Sequence, residues 1–424
     1  MNLPANNPTL TSWVEVSKES DFPIQNLPFG VIQVGEGKPR VASRIGDFAI
    51  DLKSLFVLGY MENLPFVLED FDTNSLNKMM LKGKMGTRKL RERLSKLFQS
   101  DNTDLQGKQH HVDQVLISMD EVTMLMPIEI GDYTDFYSSE QHAFNVGCLF
   151  RDPNNALLPN WKHIPVGYHG RSSSIVPSGL DFHRPKGQKK PPTAEVPVYG
   201  PSNLLDFELE TAFFTYQGKP LGETISTAEA DDYIFGMALL NDWSARDIQG
   251  WEYVPLGPFL GKNFASHISC WIVTLDALEP FRIPGPVQDP KVQPYLEYEG
   301  DKHIDMNLDV FIKPEGQDEV SVCHSNFKYM YWNMNQQLAH HTVNGCNIRV
   351  GDCMGSGTIS GPEEGEFGSM LEISWKGTKP VPMPDGSERK FILDNDTVIM
   401  RGYCEKDGVR IGFGEVAAKV LPAT

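Results

Sequence analysis

The stretch Leu204-Leu205-Asp206-Phe207-Glu208-Leu209-Glu210-Thr211 decides the fold of this 424-residue chain. Apolar and acidic residues alternate along it with a period of two, which is typical of a half-buried β-strand. Alternate residues of a strand lie roughly 6.6 Å apart at Cα, so Glu208 and Glu210 can close on one cation between them. Three acids on one face also repel one another unless something positive lies beside them. The stretch therefore predicts either a solvated acidic face or part of a site for a hard divalent ion, Ca²⁺ or Mg²⁺.

The composition is that of an ordinary globular protein with a strong acidic bias. The 38 basic and 56 acidic residues give a formal net charge of −18, which argues against nucleic acid or an anionic membrane as a partner. No apolar run approaches the roughly 18 residues that indicate a membrane helix. Residues 1–8 lack the pattern of a signal peptide, and the six cysteines form no Cys-x-x-Cys pair. We therefore expect a cytoplasmic protein with reduced cysteines.

The texture of the chain changes near Met126, which predicts two domains. Before this point, short β-type runs and one helix beginning at Thr87 carry no catalytic pattern. After it, the chain is dense in Gly, Pro, aromatic residues and short β-type runs, which favours a mixed-β domain over a doubly wound α/β sheet. We expect an N-terminal domain over residues 1–127 and a C-terminal domain over residues 128–424.

Three stretches of the second domain carry further local predictions. The spacing of apolar residues predicts helices over 226–240 and 329–341. The Pro-rich stretch 183–199 is predicted to be a loop, and loops of that length on a β scaffold usually line a site or an interface.

A second candidate site surrounds His142. Ser138 with Gln141 three residues later is a capping-box pattern, which predicts a short helix that Gly147 would end. His142 would then lie in the first turn, where the helix dipole disfavours the imidazolium and helps to keep the ring a neutral base. Asp135, just upstream, can reach what the helix N-terminus faces. A surface helix with an incidental histidine would show the same pattern.

Two further stretches place polar side chains beside apolar runs. The apolar run before Asp242 predicts a strand that ends in a carboxylate. It is followed by three side chains that could stabilise developing negative charge, Arg246, Gln249 and Lys262. The glycines from Gly355 to Gly361 allow close backbone approach to a ligand, and Glu372 alternates with apolar neighbours as a polar strand position. A structural ion pair, a plain glycine-rich turn and an exposed glutamate would look the same.

These segments resemble the fumarylacetoacetate hydrolase family. The resemblance is carried by residues 132–142, 160–161, 165–171, 241–247, 251–262, 325–327, 340–341, 357–361 and 367–377. It is dense over about 128–424 and extends more loosely to the N-terminus, where Ser20 to Ile24 is typical. It implies a fold that is mainly β with some α, with a small N-terminal SH3-like β-barrel and a C-terminal mixed β-roll, paired as a homodimer.

The activity that the resemblance implies is hydrolysis of a small molecule. The family cleaves the carbon–carbon bond of 4-fumarylacetoacetate into fumarate and acetoacetate, the last step of tyrosine and phenylalanine catabolism. The resemblance implies His142 as the base, oriented by Glu372, with Arg246, Gln249 and Lys262 as oxyanion donors. This chemistry suits the residues, because water needs a base to attack a ketone and the tetrahedral oxyanion needs positive donors.

The resemblance also implies two metal sites and a set of substrate contacts. The Ca²⁺ ligands would be Asp135, Glu208, Glu210 and Asp242. The Mg²⁺ site would fall on Asp242, Lys262 and Ser266. Substrate contacts would fall on Tyr137, Arg151, Tyr168, Gln249, Tyr253 and Thr358. The family is expected to carry Thr at position 266, where this chain has Ser and keeps the hydroxyl.

Three rival functions stay open at this point. Related metal carboxylate triads serve decarboxylases, isomerases and hydratases of oxo acids, which generally lack the His142 base. A serine hydrolase would need a nucleophile elbow, and the chain contains no Gly-x-Ser-x-Gly. A non-catalytic metal-binding protein is the third reading, although all the matched polar positions are chemically intact.

Overall fold

A computed structural model describes residues 3–424 of the chain. Residues 1 and 2, with which the predicted first domain and the signal-peptide comparison begin, lie outside the described residues. The fold is mainly β with shorter helical segments, which confirms the predicted fold class. Over residues 3–424, no helix combines the length and the apolar character that crossing a membrane requires.

The N-terminal region is built on a five-stranded antiparallel sheet. In spatial order its strands are Leu116–Ser118, Phe48–Asp51, Arg40–Ile45, Phe29–Val34 and Val122–Leu125. Val31, Val41 and Ile50 are fully buried in a core that also takes in Leu90 and Leu94 of the helix Gly83–Phe98. A strand meander covered by one amphipathic helix agrees with the predicted small β domain.

The helix Gly83–Phe98 begins one turn earlier than predicted. Thr87, the expected cap, lies inside the helix, where its hydroxyl donates to the main-chain oxygens of Gly83 and Lys84. A threonine can make this backward bond in a helix interior as readily as it can cap one, so residue type alone placed the start wrongly.

The central element of the C-terminal region is a mixed sheet. In spatial order its strands are Gly167–His169, Tyr133–Phe136, Cys353–Gly355, Leu209–Thr215, Ile234–Asp242, Ser266–Ile268 and Ile175–Pro177, with Val273–Thr274 paired to Ile234–Asp242. Two of the pairings are parallel and the others antiparallel. A parallel neighbour brings segments that are distant in sequence into register, so this sheet can assemble a site from several parts of the chain.

A second sheet packs beside the central one. Its strands in order are Val320–Asn326, Asn307–Lys313, Thr397–Lys406, Val409–Leu421 and Phe182–His183. Shorter pairs are Leu205–Asp206 with Ser244–Ala245, Lys186–Lys189 with Val198–Pro201, Arg282–Ile283 with His303–Ile304, and Val381–Pro382 with Glu388–Arg389. One apolar core, which includes Met237, Leu308 and Val416, joins the two sheets.

Helices are short and lie around the sheets. The α-helices are Leu52–Val57, Asn77–Met80, Gly83–Phe98, Gln109–Val115, Glu140–Phe150, Arg246–Glu252, Leu275–Leu278, Met334–Thr342 and Met370–Ile373. The helix predicted over 329–341 is present but starts at Met334, where Asn333 and Gln336 form a capping box.

Two local predictions for this region are wrong, the second of them only in part. The stretch 226–240 holds a single 3₁₀ turn, Ala230–Asp232, and then the strand Ile234–Asp242. Every residue of that strand is buried, so its sequence lacks the alternation that marks a strand with one wet face. The stretch 183–199 contains the strand Lys186–Lys189 and the start of its partner Val198–Pro201, so the loop prediction holds only for the segments outside these strands, chiefly 190–197.

Candidate active site

The stretch 204–211 supplies two short strands rather than one. Leu205–Asp206 pairs with Ser244–Ala245, while Leu209–Thr215 enters the central sheet. The apolar side chains of the stretch lie in the core, as the alternation predicts. The acidic side chains are buried as well, because Asp206 and Glu210 are 0 % exposed and Glu208 is 5 % exposed. The interpretation as a solvated acidic face is therefore wrong.

Neighbouring strands of the central sheet bring Asp135, Glu210 and Asp242 together. Asp135 lies opposite Gly355, and Asp242 lies opposite Ser266, with Glu210 on the strand between these pairs. One carboxylate oxygen from each of the three acids lies within 4.8 Å of the other two. Oxygens at that separation can all reach one cation at the usual Ca²⁺ distance of about 2.3–2.6 Å. We call Asp135, Glu210 and Asp242 the acidic cluster.

Two members of the acidic cluster, Asp135 and Glu210, lack the cationic partners that buried carboxylates usually have. Asp135 Oδ1 and Glu210 Oε1 are buried without a hydrogen-bond partner, and neither carboxylate forms an ion pair with Lys or Arg within residues 3–424. Burial and the neighbouring carboxylates raise the pKa of Asp135 to about 8 and the pKa of Glu210 well above its usual value. Unpaired buried charge is costly, so these oxygen donors fit a hard divalent cation.

Gly355 completes the cradle around the acidic cluster. A Cβ atom at this position would lie 2.7 Å from Asp135 Oδ1 and 3.2 Å from Glu210 Oε2. Any side chain here would therefore fill the space between the carboxylates. Glycine is required at Gly355 by the close approach of these oxygens.

Gly355→Ala should weaken Ca²⁺ binding by about tenfold or more. The added methyl group would push Asp135 out of place, and overpacking of this kind costs about 1–3 kcal/mol. Isothermal titration calorimetry measures the effect, with calcium chloride added to protein from which a chelator has removed the metal. Gly200→Ala is the matched control, because a Cβ atom there meets nothing within 4 Å. Equal affinities for Gly355→Ala and the unaltered protein would place the cation elsewhere.

Glu208, the fourth predicted calcium ligand, faces two cationic side chains. Glu208 Oε1 lies 2.9 Å from Arg246 Nη2, and Glu208 Oε2 accepts a hydrogen bond from Lys262 Nζ. Burial acts to raise the pKa of Glu208, but the charges of Lys262 and Arg246 outweigh it and hold the pKa at about 2. The structure thus gathers three of the four predicted calcium residues and keeps Glu208 ionised beside them.

Asp242 joins the acidic cluster to the residues predicted for magnesium. Asp242 Oδ1 accepts from the Ser266 hydroxyl at 2.6 Å, and Oδ2 accepts from Lys262 Nζ at 2.7 Å. The Tyr168 hydroxyl also donates to Asp242 Oδ2, at 3.2 Å. Asp242 and Ser266 offer oxygen donors to a metal, whereas the ammonium of Lys262 only donates hydrogen bonds.

A buried histidine–carboxylate pair forms the other half of the site. His142 Nδ1 lies 2.7 Å from Glu372 Oε2, and the two residues are 3 % and 1 % exposed. Burial acts to raise the pKa of Glu372, but His142 and several hydrogen bonds lower it below its usual value. An ionised carboxylate can only accept, so His142 Nδ1 carries a hydrogen, and in the neutral ring Nε2 then has a free lone pair. This is the arrangement of a general base and its orienting acid.

The helix that carries His142 runs over Glu140–Phe150, longer than predicted. Its cap is Ser139, whose hydroxyl oxygen accepts from the His142 N–H at 3.3 Å. Ser138, the predicted cap, instead accepts a hydrogen bond from the Gln337 amide. His142 still lies in the first turn, as predicted.

Glu372 lies in the short helix Met370–Ile373, so its prediction as a strand position is wrong. The hydroxyl oxygen of Ser369 accepts from the Glu372 N–H and begins the helix. In a four-residue segment, this local cap decides the conformation more strongly than the alternation of apolar residues does.

Sequence reasoning missed the polar groups that surround Glu372. The Asn145 amide donates to Glu372 Oε1 at 2.9 Å, and the hydroxyls of Ser360 and Ser369 donate to Oε2 at 3.0 and 2.8 Å. Asn145 follows His142 by three residues and so shares its helix face, a signal that could have identified it. Nothing in the local sequence distinguishes the two serines.

The predicted oxyanion donors lie close to one another. Arg246 donates from Nε to Asp206 Oδ2 at 2.9 Å and from Nη1 to Gln249 Oε1 at 3.3 Å. Because the carbonyl oxygen of the Gln249 amide accepts this bond, its NH₂ group is free to donate. Lys262 joins this group through Glu208.

The structure gathers only some of the predicted substrate residues. The Tyr137 ring meets the His142 ring edge-on, with 5.3 Å between centroids, and Thr358 is buried. Arg151 is exposed, and its guanidinium donates to the Ala156 carbonyl. Tyr253 is 52 % exposed on the loop that follows Arg246–Glu252. Contact of these residues with substrate stays a prediction.

Fold and site together define a mainly β protein in which a buried acidic cluster could hold a metal ion and a buried histidine is hydrogen-bonded to a glutamate. A family model described as the C-terminal part of fumarylacetoacetate hydrolase matches residues 133–421, and one described as the fumarylacetoacetase N-terminal part matches residues 25–127. The chain belongs to the fumarylacetoacetate hydrolase family.

Known relatives match nearly the whole chain. It is 53 % identical to the fumarylacetoacetase of Homo sapiens over 414 residues. This alignment covers 97 % of this chain and 99 % of the relative. It is 52 % identical to the fumarylacetoacetase of Caenorhabditis elegans over 421 residues, and this alignment covers 98 % of this chain and 100 % of the relative. A solved fumarylacetoacetate hydrolase from Exiguobacterium antarcticum has a TM-score of 0.53 at 15 % identity, covering 93 % of this chain and 99 % of that chain. The solved structure supports the fold alone.

Proposed function

We propose that this protein is a fumarylacetoacetase, which hydrolyses 4-fumarylacetoacetate to fumarate and acetoacetate in the last step of tyrosine and phenylalanine catabolism. The observation that carries the proposal is the buried His142–Glu372 pair in one site with the acidic cluster. The charge of Glu208 links the two parts, because it interacts with His142 on one side and with the acidic cluster on the other. Identity of about half over nearly the full chain with proteins of that name supports the substrate.

The base in this reaction is His142. Its Nε2 takes a proton from water while the water oxygen attacks the ketone carbon that becomes the carboxyl group of fumarate. Glu372 holds the ring in the required tautomer and stabilises the imidazolium that forms. Burial of both groups keeps bulk water from loosening this geometry.

Negative charge then develops on the former ketone oxygen. The guanidinium of Arg246, the ammonium of Lys262 and the free NH₂ group of Gln249 are the donors that stabilise it. When the carbonyl re-forms, the carbon–carbon bond breaks and its electron pair leaves with acetoacetate as an enolate, which takes up a proton. One water is consumed for each substrate cleaved.

A divalent cation would be held by the acidic cluster, with Glu208 beside it. Bound there, it would act as a Lewis acid toward the two diketone oxygens of the substrate. Ca²⁺ on Asp135, Glu208, Glu210 and Asp242 is our proposal for the ion, since a set of four carboxylates suits it. Mg²⁺ near Asp242, Lys262 and Ser266 is proposed as a second site, where Asp242 and Ser266 would supply the oxygen ligands. The substrate carboxylates are assigned to Arg151 and the tyrosines Tyr137, Tyr168 and Tyr253. Gln249 and Thr358 are proposed as further substrate contacts.

The same proposal includes the setting of the enzyme. We place it in the cytoplasm as a homodimer, with an N-terminal domain over residues 1–127 and a catalytic domain over residues 128–424. The match to the N-terminal family model ends at residue 127 and the match to the C-terminal model begins at residue 133, which supports that boundary. The six free cysteines, none of which forms a disulfide, are compatible with a reducing compartment.

An assay that offers two substrates tests the activity. Purified protein with calcium should remove the absorbance of fumarylacetoacetate and release fumarate, while oxaloacetate should stay intact. Turnover of oxaloacetate alone would assign the chain to the related oxo-acid decarboxylases. No turnover of either, with calcium bound, would assign it a non-catalytic metal-binding role.

A further inference from the structure

Asp206 lies where the two halves of the site meet. It belongs to neither the acidic cluster nor the histidine–carboxylate pair, and it is 0 % exposed. A carboxylate buried to that extent is retained only where donors satisfy it. The donors that satisfy Asp206 come from both halves.

Three hydrogen bonds converge on the Asp206 carboxylate. Oδ1 accepts from the Met370 N–H at 2.7 Å, and Oδ2 accepts from the Leu371 N–H at 3.1 Å. Arg246 Nε donates to Oδ2 at 2.9 Å. One side chain therefore holds both the start of the helix that carries Glu372 and the guanidinium that faces the developing oxyanion.

We propose that Asp206 is a positioning residue that fixes the position of Arg246 relative to Glu372 for the reaction. The proposal rests on the proposed function for the roles of Arg246 and Glu372. Asp206 itself touches neither water nor substrate in this scheme. It acts by aligning a donor and a base that must work on the same carbonyl group.

The first argument concerns the plane of the guanidinium. The hydrogen bond between Arg246 Nε and Asp206 fixes the orientation of the Arg246 guanidinium. In this orientation Nη2 lies 2.9 Å from Glu208 and Nη1 donates to Gln249 at 3.3 Å. A carboxylate offers acceptors on both oxygens, whereas an amide in its place offers one oxygen and an NH₂ donor. Turned either way, that NH₂ group would face an N–H donor, either that of Met370 or those of Leu371 and Arg246, so the variant would lose its hold on the helix or on the guanidinium.

The second argument concerns the helix Met370–Ile373. Four residues cannot hold a helix without outside support, and this one is held at its start by Ser369 and Asp206. Glu372 follows Met370 by two residues. Loss of either Asp206 bond would loosen the main chain that carries Glu372, and the Glu372 carboxylate would shift relative to His142 Nδ1.

Asp206→Asn tests the proposal by steady-state kinetics on fumarylacetoacetate. We expect kcat to fall roughly 10- to 100-fold with KM changed less than about threefold, because misalignment affects the transition state more than ground-state binding. Asp396→Asn is the matched control. Asp396 is 1 % exposed and accepts from Arg389 and the Leu393 N–H, neither of which is a site residue. Its kcat should stay within about twofold.

A second measurement does not depend on turnover. The hydrogen between His142 Nδ1 and Glu372 should give a low-field proton NMR signal, assigned by its loss in His142→Ala. Asp206→Asn should shift or broaden this signal, and Asp396→Asn should leave it unchanged. If Asp206→Asn does not fold, Asp206→Glu, which keeps the charge and displaces it by one methylene, takes its place in both measurements.

The two experiments separate the inference from the proposed function. If the unaltered protein does not cleave fumarylacetoacetate, the proposed function fails, and the NMR signal alone decides the role of Asp206. If it does cleave the substrate, an Asp206→Asn variant that matches Asp396→Asn in kcat and in the signal overturns the inference. A lower kcat and an altered signal in Asp206→Asn alone support it.

Discussion

Replacing His142 with alanine should lower kcat on fumarylacetoacetate by roughly 10³-fold, the scale of losing a positioned general base. No other group in residues 3–424 has a comparable arrangement, with one ring nitrogen held by a buried carboxylate at 2.7 Å and the other without a hydrogen-bond partner. KM should change little, because the ring acts on the attacking water rather than on bound substrate. Stopped assays that follow the loss of substrate absorbance measure both constants.

Two controls make the His142→Ala result specific. Ca²⁺ affinity should match that of the unaltered protein, since the acidic cluster lies on strands of the central sheet and His142 lies on a helix. Adding Glu372→Gln to His142→Ala should cost almost nothing further, because Glu372 acts through the ring. Turnover within a few-fold of normal in His142→Ala would remove this residue from the mechanism.

Glu210→Gln should have the second large effect. It should weaken calcium binding, and it should stabilise the protein when no metal is bound. Calcium affinity should fall about tenfold or more, because one charged ligand is lost. The chelated protein should become more stable by the order of 1 kcal/mol, because a buried carboxylate without a cationic partner is replaced by a neutral amide. Asp396→Asn is again the control. Its carboxylate has Arg389 as partner, so its removal should destabilise the chelated protein and leave calcium binding unchanged.

The pH dependence of the chelated protein gives the same test a second readout. The pKa of Asp135 is raised to about 8 in the folded chain and that of Glu210 is raised as well, so the folded state binds more protons than the unfolded state above about pH 4. The contribution of these two acids to the free energy of unfolding should therefore fall as pH rises from about 4, and for Asp135 it should level off above about 8. Glu210→Gln should reduce this fall in urea denaturation with EGTA. A variant that is less stable than the unaltered protein, with unchanged calcium binding, would show that Glu210 faces no cation.

The alternation in 204–211 was enough to predict which side chains face the core, but not what the acids face. Leu205 and Leu209 lie in the core as expected, and a cation between carboxylates was one of the two readings. The choice between a wet face and a metal centre depends on what packs above the strand. For Glu210, that is Asp135 and Gly355, from segments far away in sequence.

Failures of sequence reasoning fall where long-range contacts override local pattern. The first part of the strand Ile234–Asp242 was mistaken for helix because burial on both faces removes alternation, although the end of the strand at Asp242 was predicted correctly. Met370–Ile373 was mistaken for strand because its helix depends on bonds to Asp206, more than 160 residues earlier. Asp206 itself was treated only as one of three acids on a strand face, since its role exists only once these distant groups meet it.

The central claim is that a divalent cation in the acidic cluster and the His142–Glu372 base act on one substrate. The most direct measurement follows the absorbance of fumarylacetoacetate with purified protein that has been stripped by chelator and then titrated with calcium chloride. We predict that stripping abolishes turnover and that activity returns in proportion to bound calcium, reaching its maximum near one ion per chain. Full turnover by protein shown by elemental analysis to carry no divalent metal would contradict the claim.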